Sequence, residues 1–187
     1  MKARESPRPA QDQRQRTVQF GAGQPLGAAD SWHIMKIEFH LAGPEDLPVL
    51  LSMMKQLQAD DPWSIPYNET NAATAVDDLL RDHSLGRIWM IASHGETIGY
   101  IVMAFDYSLE YGGRGAWVDE VFVQRDYRGA GVGTQALEFF VTQARALGAT
   151  VVHLEVNHGN PAIELYRRLG FEDHQRYLMT KWLIEKP

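Results

Sequence analysis

The residues that first suggest chemistry run from 124 to 134, QRDYRGAGVGT. Three glycines alternate with small residues behind two arginines, and the apolar run VDEVFV precedes them. A strand, a glycine-rich turn and a helix start together make an anion site. Unpaired amides at a helix N-terminus point outward, and the helix dipole favours negative charge there. The spacing narrows the choice of anion. A dinucleotide fingerprint needs G-x-G-x-x-G. Starting at Gly129 and Gly131 it requires glycine at Thr134; starting at Gly131 and Gly133 it puts Ala136 third, which only the looser form allows. A Walker loop needs a lysine, and none occurs between Lys55 and Lys181. What remains is Arg128-x-x-Gly131-x-Gly133. His153 and Glu155 fall on one strand face, but no third ligand accompanies them, so no metal is expected.

The surrounding pattern supplies the elements that must position this loop. Residues 36–42 alternate as a half-buried strand does, and 43–61 read as a helix with acids in its first turn. Residues 61–69 contain two prolines and read as a loop, followed by a helix over 69–83. Residues 87–93 and 98–108 form a hairpin around HGET, a glycine-rich turn spans 111–115, and 116–123 is a further strand. The helix 134–148 carries Ala136, Leu137, Phe140, Val141, Ala144 and Leu147 on one face. A strand over 149–156, a helix over 160–170 and a strand over 175–183 complete the order β-α-α-β-β-β-α-β-α-β. That order predicts an α/β (α+β) architecture, a central mixed, twisted sheet with helices on both faces.

The totals bound the function. The chain has 187 residues, 44% of them hydrophobic, and no cysteine, so thiolate metal sites and cysteine nucleophiles are excluded. Residues 1–34 are rich in Arg, Gln, Pro, Gly and Ala without apolar period, and are expected to be a flexible tail. The tail carries +2 of a total of −6, leaving −8 on residues 35–187. Such an acidic body argues against a nucleic-acid partner and suits a cationic substrate. No apolar run approaches the roughly 20 residues of a membrane helix, and the first residues lack a secretory core, so a cytoplasmic location without a membrane partner is expected.

Arg128-x-x-Gly131-x-Gly133, between a strand ending VFV and an amphipathic helix, resembles the acyl-CoA pyrophosphate loop of the GNAT superfamily of N-acetyltransferases. NHGNPAIELYRRLGFE, residues 157–172, resembles the second CoA-side segment of that family. The two motifs stand in order on the expected elements, and the likeness covers roughly residues 36–184. It implies a GNAT acyltransferase fold over 35–187, with acetyl-CoA as co-substrate and no metal. Gly129, Ala130, Gly131, Val132, Gly133 and Thr134 would meet the pyrophosphate, with Arg128 reaching it by its side chain. Val121 and Val123 would hold the pantetheine arm and acyl carbonyl through backbone amides, where their strand splays from VVHLEV. Asn160 either contacts CoA or caps the following helix, and Thr134 either bonds phosphate or caps its own.

In this family an amine attacks the thioester directly, with no covalent enzyme intermediate. The reaction needs a base, since an amine near pKa 10 is mostly ammonium at neutral pH. It also needs donors for the oxyanion and an acid for the departing thiolate. Tyr166 is the candidate acid: it matches the family tyrosine and lies about 100° around the helix from Leu165 on the core stripe. Asp119 and Glu120 are candidate bases; pleat alternation sends them to opposite faces, and the sequence does not choose between them. The stretch WVDEVFVQRDYRG also resembles diamine and polyamine acetyltransferases. Asp60, Asp61, Asp106 and Glu110, with Trp63, Tyr67, Tyr107 and Tyr111, would suit a small cationic amine. Aminoglycosides, amino-acid side chains and protein N-termini stay open as acceptors, a homodimer is compatible, and a non-catalytic acyl-CoA-binding module is the alternative.

The tail carries no apolar face, so a chain beginning at Met35 is expected to keep the full-length melting temperature and CoA affinity. A clear loss of either, by calorimetry, would show that residues 1–34 pack on the domain.

Overall fold

The structure, a computed structural model, describes residues 35–60, 66–174 and 176–183. The tail, Asp61 and Trp63 of the proposed acceptor region, Gln175 and residues 184–187 lie outside the described residues. Five strands form one sheet in the order β1-β2-β3-β4-β5: β1 Ile37–Leu41, β2 Gly86–Ser93, β3 Glu96–Ser108, β4 Gly113–Val123 and β5 Val151–Leu154. The first four are antiparallel neighbours, and β5 joins β4 in parallel. The helices are α1 Leu47–Asp60, α2 Glu69–Arg81, α3 Val132–Ala146 and α4 Ile163–Arg168.

Strand alternation divides the core in two. One face carries Ile91, Ile101, Met103, Ala116 and Val118 against Ala136, Leu137, Phe139, Phe140 and Ala144 of α3, with Leu165 and Tyr166 of α4 beside them. The other carries Met90, Tyr100, Val102 and Phe122 against Leu50 and Met53 of α1 and Val76 and Leu80 of α2. Helices therefore cover both faces, as the element order implies. The apolar stripe of α3 also emerges as read, with Val141 and Leu147 half-buried at its margin. At the head of α2, Asn68 accepts from the Asn71 amide at 3.0 Å and satisfies one orphan donor.

Two local expectations change. Residues 113–115, read as turn, are the first residues of β4 and pair with Asp106–Ser108. Residues 176–183 form no strand: Tyr177 is 96% exposed and Met179 88%, and the outer edge of β5 has no partner among the described residues. An alternating pattern shows which residues can pair, not whether an edge receives them. The segment is tethered instead at Arg176, whose Nη2 donates to Glu110 Oε1 at 2.7 Å.

Phe140 is fully buried between α3 and the sheet. Phe140→Ala is expected to cost about 3–5 kcal/mol through lost burial and the cavity left behind, read by denaturant unfolding. A loss below about 1 kcal/mol would show that this interface repacks.

Candidate functional site

The site forms where β4 stops behaving as a regular strand. Pairing with β5 runs from Gly115↔Val151 to Val118↔Leu154 and ends there, while β4 continues to Val123. Residues 119–123 therefore have no strand partner on that side. At the same place the β3 register jumps: Met103 faces Val118 and Val102 faces Glu120, leaving Asp119 as an extra, bulged residue. The bulge overturns the pleat argument for the two acids. Val118 and Val121 both pack on the α3 side, so the two residues between them share the opposite side. Consistent with this, the charge of Asp119 acts on both Tyr100 and Glu120.

The environments of these acids shift their protonation. Glu120 is half-buried, and its Oε2 accepts from the Tyr100 hydroxyl at 2.7 Å. Burial pushes the Glu120 carboxyl up, the Tyr100 hydrogen bond pulls it down, and the Asp119 charge pushes it up again. Asp119 keeps solvent access, yet loss of hydration also raises its carboxyl. Tyr166 is half-buried beside Phe171, with ring centroids 5.9 Å apart. Its hydroxyl has no hydrogen-bond partner among the described residues, and burial raises it, so it holds its proton throughout the neutral range.

The glycine loop sits at the head of α3. Gly129 and Gly131 have φ of 76° and 81°, and Gly131 is the N-cap of α3. This left-handed backbone turns the chain from β4 into the helix, and L side chains disfavour it. Nothing lies within 4 Å of a Cβ placed on either glycine, so their outer side is open. A Cβ on Gly133 would make only ordinary contact with Leu165, at 3.6 Å. The amides of residues 129–134 have no partner among the described residues. The first helical bond is Gln135 N to Gly131 O at 3.1 Å. Ala130 is exposed, Val132 is buried in the core, and the Thr134 side chain makes no hydrogen bond among the described residues. Asn160 is not the N-cap of α4, which is Ala162; its Oδ1 instead accepts from the Ala162 amide at 2.9 Å and closes a turn ahead of the helix.

Arg128 is engaged elsewhere. Its Nε donates to Val123 O at 2.7 Å and its Nη2 to Asp60 Oδ2 at 2.6 Å. Asp60 also pairs with Arg125, and these two arginines hold its carboxyl below the usual range, Arg125 contributing most. Any phosphate contact from Arg128 falls to Nη1, which has no partner among the described residues, or requires exchange with Asp60. The other described acids of the proposed acceptor region are engaged too. Asp106 Oδ2 accepts from Trp117 Nε1 at 3.1 Å, and Glu110 holds Arg176. No group of three or more metal-ligating side chains occurs among the described residues, and no described helix is long and apolar enough to cross a membrane. Sequence reasoning missed Tyr100. A tyrosine in the middle of the apolar run IGYIVMAF was the available signal, since a buried phenol seeks a partner.

A strand whose pairing ends on one side, carboxylates at that end and unpartnered amides at the following helix are parts that an acyl-CoA-dependent transferase uses. Residues 51–171 match the acetyltransferase (GNAT) family. The chain is 34% identical over 137 residues to the L-methionine sulfoximine/L-methionine sulfone acetyltransferase of Pseudomonas aeruginosa, across 70% of this chain and 77% of that protein. An integron cassette protein from the mobile metagenome of Cole Harbour Salt Marsh has a similar structure, with 34% identity, a TM-score of 0.68 and coverage of 78% of this chain and 90% of that one. A predicted acetyltransferase from Clostridium acetobutylicum, solved with acetyl-CoA, shares the fold at 19% identity, with a TM-score of 0.67 and coverage of 78% and 96%. The chain belongs to the GNAT acetyltransferase family and is an acetyl-CoA-dependent acetyltransferase.

Gly131→Val places a branched side chain on the open face of the loop. CoA affinity is expected to fall about tenfold, about 1.4 kcal/mol. The melting temperature should fall as well, since valine is strained at this φ. Calorimetry with CoA on the folded variant checks the first effect; an unchanged Kd would remove the loop from the pyrophosphate site.

Proposed function

We propose that the enzyme transfers the acetyl group directly from acetyl-CoA to the amine of a small molecule, with Glu120 as base and Tyr166 as acid. The observation that carries this reading is the coincidence, at residues 118–120, of the end of β5 pairing with the bulge that turns both acids to one side. Glu120 lies on the α1/α2 side of β4, whereas Tyr166, like Val121 and Val123, borders the core on the α3 side. The two groups thus flank the opening beyond Val118 from opposite faces, as a thioester threaded through that opening would require.

The chemistry follows. Glu120, directly or through a water, takes a proton from the ammonium and frees the nitrogen lone pair. The nitrogen bonds to the thioester carbon, and backbone amides from residues 119–123 stabilise the oxyanion. The intermediate collapses, the carbon–sulfur bond breaks, Tyr166 protonates the CoA thiolate, and the second proton lost from the nitrogen as the amide forms restores the tyrosine through solvent. The Asp119 charge keeps Glu120 basic. Amides 129–134 receive the pyrophosphate, and Arg128 joins them through Nη1. Asp60, Asp106 and Glu110 are occupied by partners of this chain, so Asp119 and Glu120 are the acids that draw a cationic amine into the cleft. The relative that acts on methionine sulfoximine and methionine sulfone supports a small polar amine as acceptor.

The test is thiol release from acetyl-CoA against L-methionine sulfone, spermidine and an aminoglycoside, in wild type and three variants. Tyr166→Phe is expected to lower kcat about 10²- to 10⁴-fold while leaving CoA binding intact. Glu120→Gln should lose activity most at low pH and recover as pH rises and more amine is neutral. Asp119→Asn should keep the wild-type pH dependence in form, displaced to lower pH because a charge that raises Glu120 is gone. Unchanged turnover in Tyr166→Phe, with chemistry rate-limiting, would return that tyrosine to a packing role.

A further inference from the structure

We infer that Tyr100 is a positioning residue for the Glu120 carboxylate, anchoring one oxygen so that the other is presented to the acceptor. The inference rests on the reading of Glu120 as base. Tyr100 is fully buried in the α1/α2-side core, in the cluster that holds Leu50, Met53, Met90, Val102 and Phe122. Its ring packs against Phe122, its cross-strand partner, at 5.9 Å between centroids. A ring held on this many sides has little rotational freedom, so its hydroxyl is a fixed point. Glu120, paired with Val102, stands diagonally across from Tyr100 on the same sheet face, within reach of a long side chain. The resulting bond is 2.7 Å and goes to Oε2. Oε1 has no partner among the described residues and is not sealed from solvent. One oxygen is therefore tied to the core, and its twin faces the cleft.

The arrangement also sets charge. Among the described residues, the titratable groups that act on Glu120 or feel its charge are Tyr100 from β3, Asp119 from β4 and Tyr67 from the segment before α2. Burial and Asp119 both disfavour the carboxylate, and Tyr100 alone among these causes favours it. Tyr100 is itself pushed far up by burial first, so it donates and does not ionise. Removing the hydroxyl leaves Glu120 desolvated, beside a like charge and free to change rotamer. Its proton affinity must then rise, and the fraction present as base falls as pH is lowered.

Tyr100→Phe keeps the ring and deletes only the donor. In the full chain, the Glu120 carboxyl resonance, assigned with Glu120→Gln, is followed by carbon-detected NMR titration. Its midpoint is expected to move up by about one pH unit. The acidic limb of kcat/KM, measured with the fastest amine of the panel, should move up with it, and the high-pH plateau should fall severalfold. The acetyl-CoA Kd should stay at the wild-type value. A Glu120 midpoint that does not move overturns the inference. A midpoint that moves while the acidic limb stays still leaves Tyr100 as the anchor of Glu120 and removes Glu120 as the base. Should Tyr100→Phe fail to fold, the wild-type Tyr100 Cζ resonance decides: it follows the Glu120 titration if the pair is bonded and stays flat if it is not.

Discussion

The functional end of this molecule depends on an interruption in backbone pairing. β4 is held along its whole length by β3, but β5 leaves it after Val118. A sheet that continued to pair would bury every amide of residues 119–123 in a ladder and leave nothing for a ligand. A strand without β3 behind it would not hold those amides still. Tight pairing on one side and none on the other yields a rigid backbone with unsatisfied groups, which suits a ligand with a linear amide-bearing arm. The bulge at Asp119 falls at the same point, where the extra residue adds twist and helps the strands diverge.

Around this break the protein concentrates charge of one sign and occupies the rest. Asp60, at the end of α1, is clasped by Arg125 and Arg128, which follow β4. Exposed ion pairs of this kind contribute little to stability. Their consequence is geometric: the end of α1 is joined to the start of the glycine loop, and Arg128 reaches back to Val123 O as well. The same pairing withdraws Asp60 from the cleft. Among the described residues, Asp119 and Glu120 stand at the break itself, both partly stripped of water, and a desolvated carboxylate binds a proton more tightly than a solvated one.

Much of this was legible in the sequence, because local rules act on it. The apolar period of α3 and the glycine spacing of the loop each express a short-range constraint, and each appears in the structure as read. The Arg-x-x-Gly-x-Gly and Leu-Tyr-x-x-x-Gly-Phe motifs were likewise sufficient for the family, since a phosphate cradle is built from consecutive residues. Residues 176–183 show the limit of such rules. Their alternation satisfies the strand pattern, but a strand exists only where another edge accepts it, and no local rule reports that.

The sequence by itself determined the sheet-and-helix order up to α4, the helices on both faces, the glycine turn that opens α3 and the transferase family, all of which follow from periodicity and contiguous motifs. Only the tertiary structure decided how Asp119 and Glu120 relate. Period-two reasoning separates them, whereas the β3 register inserts Asp119 as an extra residue and turns both to one side. Tertiary structure also decided that Arg128 and Asp60 hold each other, 68 positions apart, and that Tyr100 and Glu120, 20 apart, share a proton bond. The physical reason is common to these cases. Register and side-chain pairing across strands are settled by packing between elements, where the energy of a contact depends on which residue arrives opposite, and a linear pattern carries no record of that meeting.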